Sequence, residues 1–201
     1  MNENWLIFFR GFLIGISIAA PVGPIGVLCI RRTLAEGKLI GFLSGLGAAS
    51  ADMVYGAIAA YGLTVITSVL IENVFWLRVI GGCFLLYLGI RTFFEKPADH
   101  AAQVNHSGYA GAYLSTFILT LTNPMTILSF AAIFAGTMFI GSTSSPTLLV
   151  VGVFTGSASW WLALSFGVGL MRGRLTANHM VWINRISGTI IILFGIIALT
   201  A

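Results

Sequence analysis

Six long apolar runs divide this chain, at roughly 5–30, 39–69, 73–94, 111–140, 146–171 and 180–200, and its charges fall between them. A helix needs about 20 mainly apolar residues to cross a bilayer, so each run is a candidate span. Only 8% of the 201 residues are charged, 58% are hydrophobic and the mean hydropathy is +0.99. A water-facing surface needs far more charge than that, so the solvent must be lipid. The one clearly polar connection runs from Glu95 to Ser107 and contains Lys96, Pro97, Asp99, His100, Gln103, Asn105 and His106. It reads as a solvated loop too short to be a domain, and nothing else suggests a soluble domain or a nucleic-acid surface. The net charge of +4 is a topology signal and does not imply an acidic partner.

The first run resembles a secretory signal at Ser17-Ile18-Ala19-Ala20. Arg31, Arg32 and Lys38 follow immediately, and positive charge resists translocation, so this segment is expected to stay as a helix with a cytoplasmic far end. Arg91, Lys96, Arg172, Arg174 and Arg185 share that side, which leaves only Arg10 and Arg78 of the ten basic residues nearer the other. Those two sit close enough to helix ends to snorkel. Both termini are therefore expected outside, with the polar loop inside. The proline-rich first run is the segment that could re-enter instead of crossing.

The chain also repeats itself. Gly11, Ile18, Pro24 and Leu28 recur as Gly111, Ile118, Pro124 and Leu128. Gly41, Gly45 and Gly56 recur as Gly152, Gly156 and Gly167, and Trp76, Ile80, Gly82, Gly89 and Ile90 as Trp182, Ile186, Gly188, Gly195 and Ile196. Because three is an odd number of spans, the second copy enters from the opposite side. The predicted fold is an all-α membrane protein of six transmembrane helices, built as two inverted three-helix repeats with helices one and four broken. The repeats occupy 1–95 and 111–201, joined by a polar cytoplasmic loop at 96–110. Inverted repeats are a transporter's symmetry, with the site at their junction.

Ala20-Pro21-Val22-Gly23-Pro24 interrupts the first run and Asn123-Pro124 the fourth, at corresponding places. Proline removes a donor and collides with the preceding turn, yet suits the first position of a new helix. Pro24 and Pro124 are thus expected to start second half-helices whose free N–H groups favour a carboxylate. A pair of plain proline kinks is the alternative. Asp52 is the only acidic residue well inside an apolar run, where a lone charge costs at least about 2.5–3.5 kcal/mol. Its repeat counterpart is Ala163, and Asn123 is matched by Gly23, so the architecture alone requires neither polar group. Asp52 either bonds a neighbouring helix or binds cargo amine and proton in turn. The expected substrate-binding set is Pro21, Gly23, Pro24, Asp52, Asn123 and Pro124, with Asp52 as the proton-coupling residue.

Other residues point less clearly to function. Cys29 and Cys83 stand alone in different spans and read as apolar filler. Asp99, His100 and His106 lack the spacing of a tight metal site. Ser50, Tyr55, Tyr61 and Tyr87 are cavity candidates or interfacial anchors, and Trp160-Trp161 faces either lipid or a cavity. Gly11-x-x-x-Gly15 and Gly41-x-x-x-Gly45 allow close helix approach within one subunit or across a homodimer.

The Pro-Val-Gly-Pro break, Asp52 in the second span, Asn123-Pro124 in the fourth and the short polar loop together resemble the LysE family of amino-acid exporters, over nearly the whole chain. The resemblance implies six spans from a duplicated unit and proton-motive-force-driven export of an amino acid or a related molecule from a prokaryotic cell across its inner membrane. It places functional weight on Pro21, Gly23, Pro24, Asp52, Asn123 and Pro124. Met125 stands where many members carry lysine, which removes one cation from the expected site.

No Gly-Lys-Ser/Thr P-loop is present, so ATP hydrolysis is excluded. A proton gradient, worth about 2.3 kcal/mol per charge per 100 mV, is the natural driver. The expected activity is secondary transport, not enzymatic, with a small-molecule substrate, a lipid surround and no cofactor or nucleic acid. A metal-ion exporter and a transmembrane thiol–disulfide relay are the alternatives; a purely structural subunit would not need paired helix breaks. Reporter fusions at Asp99 and Ala201 are expected to read inside and outside respectively, and the reverse pattern would overturn the orientation.

Overall fold

The structure is a computed structural model that describes residues 3–21, 23–62, 69, 71–94, 106–136, 145–174 and 176–200, without the side chains of 106, 107, 131–136, 174 and 177. Val22, most of the polar loop with Asp99 and His100, and the His106 side chain lie outside that description. The described residues form eight α-helices: α1 (Glu3–Ala19), α2 (Pro24–Glu36), α3 (Lys38–Ala60), α4 (Val74–Phe94), α5 (His106–Leu121), α6 (Pro124–Gly136), α7 (Pro146–Gly169) and α8 (Ala177–Thr200). A short 3₁₀ turn, Arg172–Arg174, precedes α8.

The membrane reading meets the structure in a coarser form than six spans. Helices α3, α4 and α7, and α8 from Asn178, are each long and apolar enough to cross a bilayer, and α1 with α2 qualifies jointly at a bend of 81°. The fourth run is cut at Asn123-Pro124 into helices of 16 and 13 residues, each shorter than the roughly 20 a span requires. Four to five span candidates therefore stand among the described residues.

Large apolar side chains face outward while small ones fill the interior, the arrangement lipid favours. Trp5, Phe9, Phe75, Trp76, Phe94 and Trp182 are exposed, whereas Ala48, Ala49, Ala51, Ser44, Thr116, Ser157 and Ser165 are buried. Glycines set the closest approaches. Gly11 and Gly15 of α1 lie against Leu149–Val153 and Ser157 of α7, advancing together, so these helices run parallel. Contacts of Gly47 with Tyr113, Thr116 and Phe117, and of Tyr55 with Leu121, make α3 and α5 parallel too. Helices α3 and α7 are antiparallel, with Gly45 against Trp161 and Gly56 against Val153. So are α4 and α8, where Gly82 meets Gly195 and Gly89 meets Gly188. That last pairing joins each glycine to the repeat counterpart of its neighbour. Trp76 and Trp182 are likewise both exposed, at 61% and 63%. The first repeat block behaves differently: Gly11 is tightly packed but Gly111 faces open space.

Basic groups gather at one end of this bundle. Gly37, at φ 115°, turns the chain between α2 and α3 and returns its N–H to the Arg32 and Thr33 carbonyls, a conformation that favours glycine. Arg172 bonds the Ala35 carbonyl at 3.2 Å, and Lys38 lies 5.6 Å over the Phe166 ring. At the opposite end Tyr61 and Thr147 share a 2.9 Å hydrogen bond.

A Cβ on Gly152 would sit 2.9 Å from the Phe12 nitrogen and 3.0 Å from the Gly11 Cα, where neither backbone can yield cheaply. Gly152→Ala is expected to lower stability by about 1–3 kcal/mol, while Gly167→Ala, which meets nothing within 4 Å, should not. Thermal unfolding of both purified variants in detergent checks this, and equal midpoints would refute it.

Candidate functional site

Both expected helix breaks are present, and each is stabilised differently. At the second, Pro124 starts α6 and cannot donate to α5. Asn123 repairs the junction from both ends: its N–H bonds the Thr120 carbonyl at 3.2 Å, and its Oδ1 accepts the Met125 N–H at 3.1 Å. Thr126 and Ile127 donate to the Asn123 carbonyl at 3.1 and 3.2 Å. The Leu121 carbonyl, left over by the break, accepts the Tyr55 hydroxyl from α3. The first N–H groups of α6 are consequently paired, not free as the sequence suggested, because the asparagine caps its own helix.

At the first break Gly23 occupies the corresponding place and has no side chain to offer. Its N–H bonds the Pro21 carbonyl at 3.0 Å and its carbonyl receives Val27 at 3.1 Å, but no side chain caps α2. The two breaks therefore differ by one residue type, Asn against Gly. Of the two half-helices that start at the breaks, α2 alone has no side-chain cap at its N-terminus.

Asp52 lies at mid-helix in α3, 3% exposed, and its Oδ2 accepts a 2.7 Å hydrogen bond from Ser157 of α7. One of its two sequence readings, a bond to a neighbouring helix, is thus present, yet among the described residues it engages one oxygen only. A cavity of about 320 Å³ adjoins it, and Pro21, Gly23, Pro24, Asp52, Asn123 and Pro124 all line it. The remaining walls are mostly apolar, with the hydroxyls of Thr120, Thr126 and Ser129 among them, of which those of Thr120 and Ser129 donate to carbonyls of their own helices. That volume falls at the small end of ligand sites.

A family model for LysE type translocators matches residues 16–201. The chain belongs to that family. Among its relatives, the putative amino acid efflux protein YcgF of Bacillus subtilis is 26% identical over 94% of this chain and 93% of its own. The threonine efflux protein of Escherichia coli is 22% identical over 95% and 96%, and the uncharacterized membrane protein YahN of Escherichia coli is 26% identical over 83% and 77%. No solved structure matches. With its apolar helices, the translocator is a multi-pass membrane protein.

Four cavity or bundle residues of this family member were not legible as such. Arg78, read as a snorkelling cation, lines the same cavity as the uncharged Met125 and makes no hydrogen bond or ion pair among the described residues. Trp161, ambiguous from sequence, is 4% exposed, lines the cavity and leaves its buried Nε1–H without a partner among the described residues. Arg31 and Arg32, read only as topology signals, tie the bundle together: Arg31 donates to Asn184 Oδ1 at 3.1 Å, and Arg32 bonds Ser44, Ser115 and the Ala112 carbonyl. Nothing in the local pattern marks these hydrogen bonds, since the acceptors named here are 12 to 153 residues away. Ser50 bonds its own helix at Leu46, Cys29 is buried and Cys83 exposed, and neither cysteine lines the cavity.

Because Asn123 closes the α6 terminus, Asn123→Ala is expected to destabilise the translocator by about 1 kcal/mol. Asn123→Asp, which keeps the acceptor, should recover most of the loss. Unfolding midpoints of the two variants test the assignment, and an alanine variant as stable as the parent would refute it.

Proposed function

We propose that this protein exports an amino acid or a closely related small polar solute by proton-driven antiport across a prokaryotic inner membrane. The observation that carries the reading is that both helix breaks and the one mid-span carboxylate border a single small cavity. The names of the relatives, an amino acid efflux protein and a threonine efflux protein, support the cargo class.

The chemistry of the cavity suits a zwitterion. Asp52 would hold the cargo ammonium, while Arg78 and the uncapped start of α2 would take its carboxylate. Helix N-termini stabilise anions, and a guanidinium matches a carboxylate's two oxygens. Asn123, its Oδ1 committed to the cap, would contribute its amide N–H groups.

Six spans in two inverted repeats remain the architecture proposed here. Support comes from the crossed glycine pairs of α4 and α8 and from helix direction: α1 follows α7, α7 opposes α3, and α3 follows α5. The repeat counterparts α1 and α5 thus run oppositely. In this arrangement the cavity extends past Arg78 towards Ile197 and Ala198, at the end away from the clustered basic residues. Leu28, Leu88, Leu119 and the Arg32 bonds close the other end. The conformation would then be outward-facing, and the inward state would require those bonds to open.

Asp52 would couple the cycle by taking a proton from the acidic outside as it releases cargo, then losing that proton to cargo inside. Asp52→Asn keeps the acceptor for Ser157 but cannot titrate. It is expected to insert and fold normally while losing proton-driven export of threonine and other small amino acids from loaded vesicles. A variant that still concentrates cargo with the parent's pH dependence would sink the coupling role.

A further inference from the structure

A second hollow, of about 370 Å³, opens at the basic end of the bundle between α2, α4 and α5. Its character is opposite to that of the first. Arg31, Arg32 and Arg91 line it, and Glu36 is the one acidic residue among the described residues of its wall. Arg31 is committed, to Glu36 at 3.6 Å and to Asn184 at 3.1 Å. Arg32 is held from three directions by Ser44 Oγ at 2.9 Å, Ser115 Oγ at 2.9 Å and the Ala112 carbonyl at 3.0 Å. Those acceptors are neutral, so they fix the guanidinium without cancelling its charge. Arg91 makes no hydrogen bond or ion pair among the described residues.

Three guanidinium groups thus face one carboxylate in a partly enclosed space. Charges needed only to orient a chain in the membrane would serve best in open water. Here Arg31 is 5% exposed and Arg32 is half-buried and pinned. Like charges brought together at reduced dielectric repel, and a bound anion relieves that repulsion. The wall is also kept open, since a Cβ on Gly111 of α5 would meet nothing within 4 Å. Planar guanidinium forks fit the paired oxygens of carboxylate and phosphate, and basic pockets between helices at the cytoplasmic surface accept lipid phosphates.

We propose that this hollow is a separate oxyanion site, in which Arg32 and Arg91 bind the phosphate of an anionic lipid or the oxyanion of a soluble solute. It does not depend on the transport reading of the first cavity, and it assigns to Arg32 and Arg91 a ligand that neither helix packing nor topology requires.

The test follows the unfolding midpoint of the purified full chain in zwitterionic detergent. One arm titrates phosphatidylglycerol against phosphatidylcholine. The other compares sodium phosphate or acetate with sodium chloride at equal ionic strength. An anion that binds the folded state raises the midpoint. Arg91→Gln alters an exposed side chain and is expected to fold as the parent does. In that variant the concentration giving half the stabilisation should rise roughly tenfold, the loss of one charge-assisted contact. A response confined to phosphatidylglycerol identifies the lipid source, and one to phosphate or acetate the soluble source; either supports the site if Arg91→Gln weakens it. The proposal fails if neither anion exceeds its control, or if Arg91→Gln responds like the parent.

Discussion

A peptide group without a partner is costly wherever lipid replaces water, and a helix that stops at mid-depth creates several at once. The rest of this structure is arranged around that constraint. At Asn123-Pro124 the freed groups are taken up one by one: Thr120 by the Asn123 N–H, Met125 by the Asn123 side chain, and Leu121 by the Tyr55 hydroxyl from another helix. The break persists because α3 is close enough to supply that hydroxyl. Closeness in turn depends on small residues at the contacts, such as Gly47 against Tyr113 and Thr116. The glycines and the helix break are therefore parts of one solution, in which tight packing brings a polar side chain to an orphaned carbonyl.

The asymmetry between the two breaks follows from the same accounting. Asn123 closes its helix end, whereas Gly23 leaves α2 without a side-chain cap. Where the protein provides no cap, water or a ligand must, and that end borders the cavity. One break is thus closed by its own side chain, while the other leaves a helix end open to the cavity. Asp52 and its partner Ser157 likewise join α3 to α7, two helices far apart in the sequence. A contact of that kind ties the position of α3 to that of α7.

Electrostatics in this bundle is sparse, and so each group has large leverage. Arg78 at one cavity and Arg32 and Arg91 at the other lie at opposite ends, with α2 contributing its start to the first and its last turns to the second. Leu28 of α2, with Leu85, Leu88 and Leu119, forms the apolar layer between them. Any tilt of α2 would act on both hollows together, because a 13-residue helix moves largely as a rigid rod.

The sequence by itself determined the membrane environment, the helical class, the positions of both breaks and six of the residues that line the cavity. Those properties are local or periodic: apolar run length, proline's missing N–H, and a carboxylate where lipid tolerates none. Tertiary structure decided the rest. Whether the α6 terminus is free or capped depended on the rotamer of Asn123, and whether Tyr55 anchors at an interface or supports a break depended on where Leu121 falls. Arg31 and Arg32 looked like topology charges because their partners, Asn184, Ser44, Ala112 and Ser115, lie on helices that no local pattern joins. Arg78 looked like a snorkelling cation for the same reason, since a residue on a helix face borders a cavity only once neighbouring helices have enclosed it.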